Sequence, residues 1–490
     1  MTFVSKSINA AGAEQAAGRA IPSFRWALAG LSLSMLLSSL GTSIANVGLP
    51  TLAQEFAASF QQVQWIVLAY LLAITTLVVS VGRLGDIIGR RRLLLAGIGL
   101  FTTASVLCGA APTLSLLIAA RAAQGLGAAI MMALAMAFVA ETVPKARTGS
   151  AMGLLGTMSA VGTALGPSLG GVLITVLGWR SIFLVNVPLG ILAFLLAWRT
   201  LPADVAKAKT DRQGFDTPGT LLLALTLAAY ALAMTFGRGS FGLLNLVLLA
   251  VASFGAGVFV LVETKVASPL IRLNRFRNAP FSAALATNAL VSTVMMATLV
   301  VGPFYLSRAV GLDAAMVGLV MSIGPVVSAL SGVPAGRVVD RLGAPVVVII
   351  GLVAMMVGSV GLSVLPSISG IAGYIAAIAL LTPGYQLFQA ANNTAVMADI
   401  SADQRGVVSG MLNLSRNLGL VTGASAMGAV FAFASSATDI ATANPASVAS
   451  GMRITFLVAA VLVSIALAVI FASRVVQARK NSYGSPDAGQ

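Results

Sequence analysis

A side chain that takes up and releases a proton near neutral pH is usually histidine, and this sequence of 490 residues has none. The task would fall to a carboxylate whose pKa burial has raised, and there are 14 aspartates and glutamates. The only cysteine, Cys108, lies in an apolar run. It excludes an intrachain disulfide and reads as a small packing residue. No zinc-type cluster, nucleophile–histidine pair or G-x-x-x-x-G-K-[ST] loop is present. Neither an enzyme, a metal site, a cofactor nor ATP-driven chemistry is expected.

The elements that must position these groups are apolar spans. Hydrophobic residues make up 58% of the chain and charged residues 9%, against about 25% charged in soluble domains. Mean hydropathy is +0.97. A net charge of +15 would suggest nucleic acid for a soluble protein. Here the basic residues lie in short loops between apolar runs, so they read as topology signals, and no nucleic-acid partner is expected.

A span needs about 20 apolar residues. Polar breaks delimit fourteen, near 26–48, 61–82, 93–110, 114–140, 149–175, 181–199, 218–236, 243–262, 281–307, 315–336, 344–364, 370–398, 406–432 and 453–473. Lys and Arg crowd alternate loops, which places both termini in the cytoplasm. The expected organisation is a cytoplasmic tail (1–25), a six-span bundle (26–199), a linker (200–217), two inserted spans (218–262), a linker (263–280), a second six-span bundle (281–474) and a tail (475–490). GRLGDIIG at 82–89 recurs as GRVVDRLG at 336–343. Both follow the second span of a six-span set, as expected of an internal repeat about an axis along the membrane normal.

None of the carboxylates falls at the midplane of these spans. Asp86 and Asp340 belong to the two repeated turns; Glu141, Glu263 and Asp399 sit at cytoplasmic helix ends. The span interiors carry two arginines instead, Arg121 and Arg416. Intramembrane charge is costly and normally faces a wet cavity or a partner. Proton coupling would then use Asp86, with Glu141 or Asp399 near the inner mouth and Arg121 tuning the field; alternatively, Arg121 fixes helix contacts. Asp86 would double as a conformational latch. Amides and hydroxyls at helical spacing mark the substrate path: Ser38, Thr42 and Asn46 in the first span, Gln124 in the fourth, Asn288 in the ninth, and Tyr385, Gln386, Gln389 and Asn393 in the twelfth. Hydrogen bonding between helices is the competing role for each amide.

Gly82–Arg92, GRLGDIIGRRR, resembles the loop between helices 2 and 3 of the major facilitator superfamily, through Gly82, Arg83, Gly85, Asp86, Gly89, Arg90 and Arg91. Gly162, Gly166, Pro167, Gly170 and Gly171 resemble the fifth-helix motif of its exporters. Arg121, Gln124 and Gly125 resemble a fourth-helix motif whose arginine is linked to proton coupling. Ser38–Pro50 resembles the first-helix motif of the fourteen-helix drug:proton antiporters, but the acidic position is Gly41. The resemblance implies an all-α major facilitator fold, two pseudo-symmetric six-helix bundles plus two central helices. It implies a monomeric, multi-pass protein of the inner (plasma) membrane that exports small hydrophobic molecules in exchange for protons, with the lipid bilayer as its surroundings. The missing acid and the two arginines leave an exporter of a neutral or anionic metabolite as the alternative. A membrane sensor on the same fold would need a larger soluble domain than tails 1–24 and 474–490.

Overall fold

The computed structural model describes residues 21–78, 80–142, 148–202, 204, 217–236, 242–265, 278–397, 405–435, 440 and 443–483. The first set of helices is α1 (Ile21–Glu55), α2 (Phe60–Val78), the short α3 (Val81–Ile88), α4 (Arg90–Ala110), α5 (Leu114–Thr142), α6 (Thr148–Leu177), α7 (Ser181–Leu184) and α8 (Asn186–Thr200). Two more follow, α9 (Thr217–Thr235) and α10 (Leu243–Lys265). The last set is α11 (Ala279–Phe304), α12 (Ala314–Leu342), α13 (Ala344–Met397), α14 (Arg405–Thr422), α15 (Gly428–Ala434) and α16 (Pro445–Tyr483). Among the described residues, 13 helices are long and apolar enough to cross a membrane. One of them, α13, has 54 residues, about 80 Å at 1.5 Å per residue, far more than one bilayer. Its helical geometry breaks at Ser369 and Gly370, where Gly370 has φ +57°. It therefore makes two passes, and the fourteen expected spans are present.

Each half repeats one packing pattern. α1 packs on α6 and α8 as α11 packs on α14 and α16; α4 meets α8 as α13 meets α16. The repeated sequence motif has a repeated backbone too. Gly89 separates α3 from α4 with φ +103°, and Gly343 separates α12 from α13 with φ +79°. Glycine alone takes such values without strain. At this face an arginine staples each half: Arg91 Nη2 donates to the Trp198 carbonyl, and Arg474 Nη2 donates to the Pro345 carbonyl.

The N-terminus of α4 is capped from a distance. The Asp204 carboxylate accepts from the Arg91 and Arg92 amides at 2.8 and 3.2 Å. A Cβ on Gly89 would lie 2.5 Å from Asp204 Oδ2, so a larger residue there would push the capping carboxylate aside as well as strain φ. The chain after the sixth span is thereby tied to the turn after the second. Large apolar side chains such as Leu243, Phe254, Val176 and Leu330 remain exposed, as a lipid-facing belt requires.

The halves meet asymmetrically. On the face carrying Phe60, one apolar cluster runs through both, including Ile44, Phe60 and Val67 from the first and Val301, Phe304 and Phe431 from the second. On the face carrying Arg90, the described core is split. Leu31, Ile74, Leu94 and Phe138 belong to one cluster; Phe281, Val396, Val408 and Met411 belong to another.

Candidate functional site: a cavity between the halves

Between the halves lies a cavity of about 1180 Å³, open water included. Its first-half wall comes from α1, α2, α5 and α6 through Ser39, Thr42, Leu71, Ile74, Met132 and Thr163. Its second-half wall comes from α11, α12, α13 and α14 and carries the more polar groups, Ser328, Tyr385, Arg416 and Asn417, beside Met295, Met321 and Ile378.

A seal closes the Phe60 face. The Phe60 ring stands edge-on to Phe304 and Phe431, with centroids 4.7 and 5.4 Å away. One turn deeper, Gln64 Nε2 donates to the Ala424 carbonyl at 2.9 Å. That carbonyl lies in a π-helical turn, Gly423–Met427, where backbone acceptors are displaced from the regular ladder. On the other side of the seam, α6 touches α12 backbone to backbone. A Cβ on Gly171 would lie 2.5 Å from the Ala314 oxygen, and one on Gly318 would lie 2.3 Å from the Pro167 oxygen.

The glycine-rich motif divides its work between two partners. Gly162, Gly166 and Gly170 press on α1, with the Gly166 position closed by Ser43, while Gly171 faces the other half. Pro167 lies within α6 and supplies the carbonyl that Gly318 approaches.

Arg121 is fully buried inside the first half. Its Nε donates to the Ile66 carbonyl at 2.9 Å, Nη2 to the Gly41 carbonyl at 3.0 Å and Nη1 to Gln124 Oε1. Gln124 Nε2 donates to Ser105 at 2.7 Å. The guanidinium lies 4.1 Å from the Tyr70 ring centre. One planar fork thus ties α1, α2 and α5 together, and Gln124 extends the tie to α4. At Gly41, where the antiporter resemblance expects an acid, a Cβ would sit 2.9 Å from Tyr70 Oη. Tyr70 fills the space of the missing side chain, and the backbone oxygen takes the charge-assisted bond.

Of the expected cavity residues, Thr42 and Tyr385 line it. Gln386 and Gln389 stand one step behind: their Nε2 atoms donate to Ser328 and to Tyr385 Oη, which do line it. Ser38, Asn46, Gln124 and Asn288 do not line it and are buried between helices, and Asn393 is exposed. In α1 only Thr42 of the row reaches the cavity, Ser38 and Asn46 are buried, and each member satisfies itself on the carbonyl four residues back, Ser38 on Ser34, Thr42 on Ser38 and Asn46 on Thr42. Asn288 crosses instead to the Leu412 carbonyl at 2.9 Å. Asp340 is exposed on α12, and Arg90 opens α4. Asp399 and the side chains of Arg83, Asp86 and Glu141 lie outside what is described. Phe60, Gln64 and Asp204 were not expected as site residues. Only the polarity of Gln64 inside a span signalled a special role.

A family model described as Major Facilitator Superfamily matches residues 31–424, with a second match over 284–489. The chain belongs to the major facilitator superfamily. It is a multi-pass membrane transporter rather than an enzyme, and a small molecule is its substrate. Within the superfamily it is 31% identical over 402 residues to the riboflavin transporter RibZ of Clostridioides difficile, covering 82% of this chain and 87% of that one. It is 32% identical over 412 residues to the multidrug resistance protein Stp of Mycobacterium tuberculosis, covering 84% and 76%. Among solved structures it resembles an inward-facing bacterial homologue of the lysosomal transporter Spinster, with TM-score 0.68 and 17% identity over 92% of this chain and 97% of that one. This last likeness speaks for the fold of the superfamily alone.

Proposed function

We propose that this transporter is an exporter that moves amphipathic small molecules outward, in exchange for protons, by rocking one half against the other. The observation that carries the reading is the cavity of about 1180 Å³ between halves whose apolar cores merge on one face and are separate on the other. Such a shape is one end state of alternating access. Arg90, Arg91 and Arg92 crowd the face where the cores are separate, and the positive-inside rule makes that face cytoplasmic, with both termini on that side. In this assignment the state seen loads from the cytoplasm. The fifth-helix glycine motif and relatives named as multidrug resistance proteins support export.

Proton coupling is assigned to the cytoplasmic rim, to Asp86, Glu141, Asp340 and Asp399, which release the inward-moving proton there, with Arg83 and Arg90 as pairing partners. Arg121, tied to three oxygens and not among the residues that line the cavity, acts in this reading by positioning α1, α2 and α5. The test is a pH-gradient assay in everted vesicles against a panel of lipophilic compounds that includes riboflavin. Proton release that depends on compound and on protein is expected. Uptake in proteoliposomes that ignores an imposed gradient would remove the coupling; transport of riboflavin alone would replace the multidrug reading with that of a dedicated carrier.

A further inference from the structure

We propose that the cavity selects organic anions, and that Arg416 with Asn417 holds the acidic group of an amphipathic substrate. The proposal deepens the exporter reading and rests on it only for the direction of movement.

Arg416 lines the cavity, and among the described residues no carboxylate does. The contrast with Arg121 is informative. Arg121 is surrounded by three protein acceptors and shut away from the cavity. Arg416 is half-buried, and none of the described residues hydrogen-bonds or ion-pairs with its guanidinium. A charge inside a span is retained at a cost and marks a functional partner. Among the described residues no such partner is supplied, so the place is open to one from outside.

The neighbouring polar groups also present hydrogens. The Asn417 amide has no partner among the described residues. Ser328 Oγ and Tyr385 Oη each accept from a glutamine behind them, Gln386 and Gln389. Their own O–H groups are therefore free to donate into the cavity. On the opposite wall the hydroxyls are already engaged: Thr42 donates to Ser38 O, Thr163 donates to Ser159 O, and Ser39 pairs with Ser159. Leu71, Ile74 and Met132 fill the rest of that wall. One side thus offers a cation and a set of donors, the other an oily surface. A guanidinium fork matches a carboxylate or sulfonate with two parallel bonds. The methionines adapt to varied apolar bodies.

The test uses the full-length protein in nanodiscs and three fluorescent probes with one ring system: 1-pyrenebutyrate, its methyl ester and a pyrenylbutyl-trimethylammonium cation. Wild type should bind the anion about tenfold tighter than the ester, the scale of one charge-assisted bond, and the cation least. Arg416→Gln should bring anion and ester together while the ester changes less than about threefold, because burial of the ring is untouched. Arg416→Lys should keep part of the preference, since a point charge replaces the fork. Tyr385→Phe removes one donor and should weaken the anion alone. A wild-type anion-to-ester ratio of one or below overturns the proposal without any variant, and so does a preference that survives Arg416→Gln. Outward transport is read separately in vesicles. Anion-selective binding with none of the three probes exported sinks the exporter reading and leaves this one; export of the cation as fast as the anion sinks this one and leaves the other.

Discussion

Adding a single methyl group at Gly171 should open the sealed face. The Cβ of Gly171→Ala would lie 2.5 Å from the Ala314 oxygen and 3.0 Å from Gly318 Cα, well inside the 3.4 Å at which ordinary contact begins. Both obstacles are backbone, so no side chain can rotate away. The halves must part by close to 1 Å at this point, and small-to-large insertion at a packed site costs about 1–3 kcal/mol. That cost falls only on the state in which α6 and α12 touch. It shifts the balance toward the opposite state by about 5- to 150-fold. Cys108 is fully buried, so the natural chain gives little background to a thiol probe. Thr51→Cys, in the narrow cleft that also holds Ser307 and Val317 from the other half, reports opening through its labelling by an impermeant maleimide. Labelling should quicken at least about fivefold in Gly171→Ala and further in Gly171→Val. Gly170→Ala is the control, because its Cβ would meet Val47 and Ile44 of its own half; it should weaken the fold without quickening labelling. Unchanged labelling in Gly171→Ala, with normal transport, would refute the seam as the closing contact.

Arg121→Met keeps the apolar stem but removes three charge-assisted bonds, each worth about 1.5–3 kcal/mol. After relief of the cost of about 3 kcal/mol of holding a charge within a span, a net loss of about 1.5–6 kcal/mol remains. A maleimide dye that reacts with Cys108 on unfolding should show a midpoint lower by several degrees. Gly41→Asp should be harmful alone, since its Cβ meets Tyr70 Oη at 2.9 Å. Adding Tyr70→Phe should recover part of the loss, and a double-mutant cycle with no coupling would contradict the space-filling role given to that hydroxyl. Asp204→Ala removes the cap of α4, at about 1 kcal/mol. Amide exchange at Arg91 and Arg92 should accelerate, and Asp204→Asn, which keeps an acceptor oxygen, should restore most of the protection.

The fold was legible because it rests on long apolar runs, loop charge and a repeat, all carried by local sequence. The turn at Gly89 and its echo at Gly343 were readable for the same reason: a positive φ leaves a glycine behind. The cavity was readable only in part. Helical spacing shows that Ser38, Thr42 and Asn46 share a face, but which neighbour that face meets is set by packing across distant sequence. Their hydroxyl and amide groups satisfy themselves on carbonyls four residues back, which spacing cannot distinguish from a lining role. Gln386 and Gln389 fell on the right helix and one layer too deep. Asp204 carries no local signal of its capping role, since its partners lie more than a hundred residues earlier.

The inserted pair of helices has a mechanical consequence. α9 is fastened at two heights, to α2 through Trp65 Nε1 to Thr235 Oγ1 and to the turn after α2 through Ser80 to Thr220, each at 3.0 Å. Toward the second half, Leu223, Leu227 and Phe259 rest on Leu414. Polar ties hold on one side while greasy surface slides on the other, so the pair travels as an outrigger of the first bundle. The proposed rocking of the bundles would shear the oily bearing at Leu414 and leave the bolted joint at Trp65 and Ser80 intact.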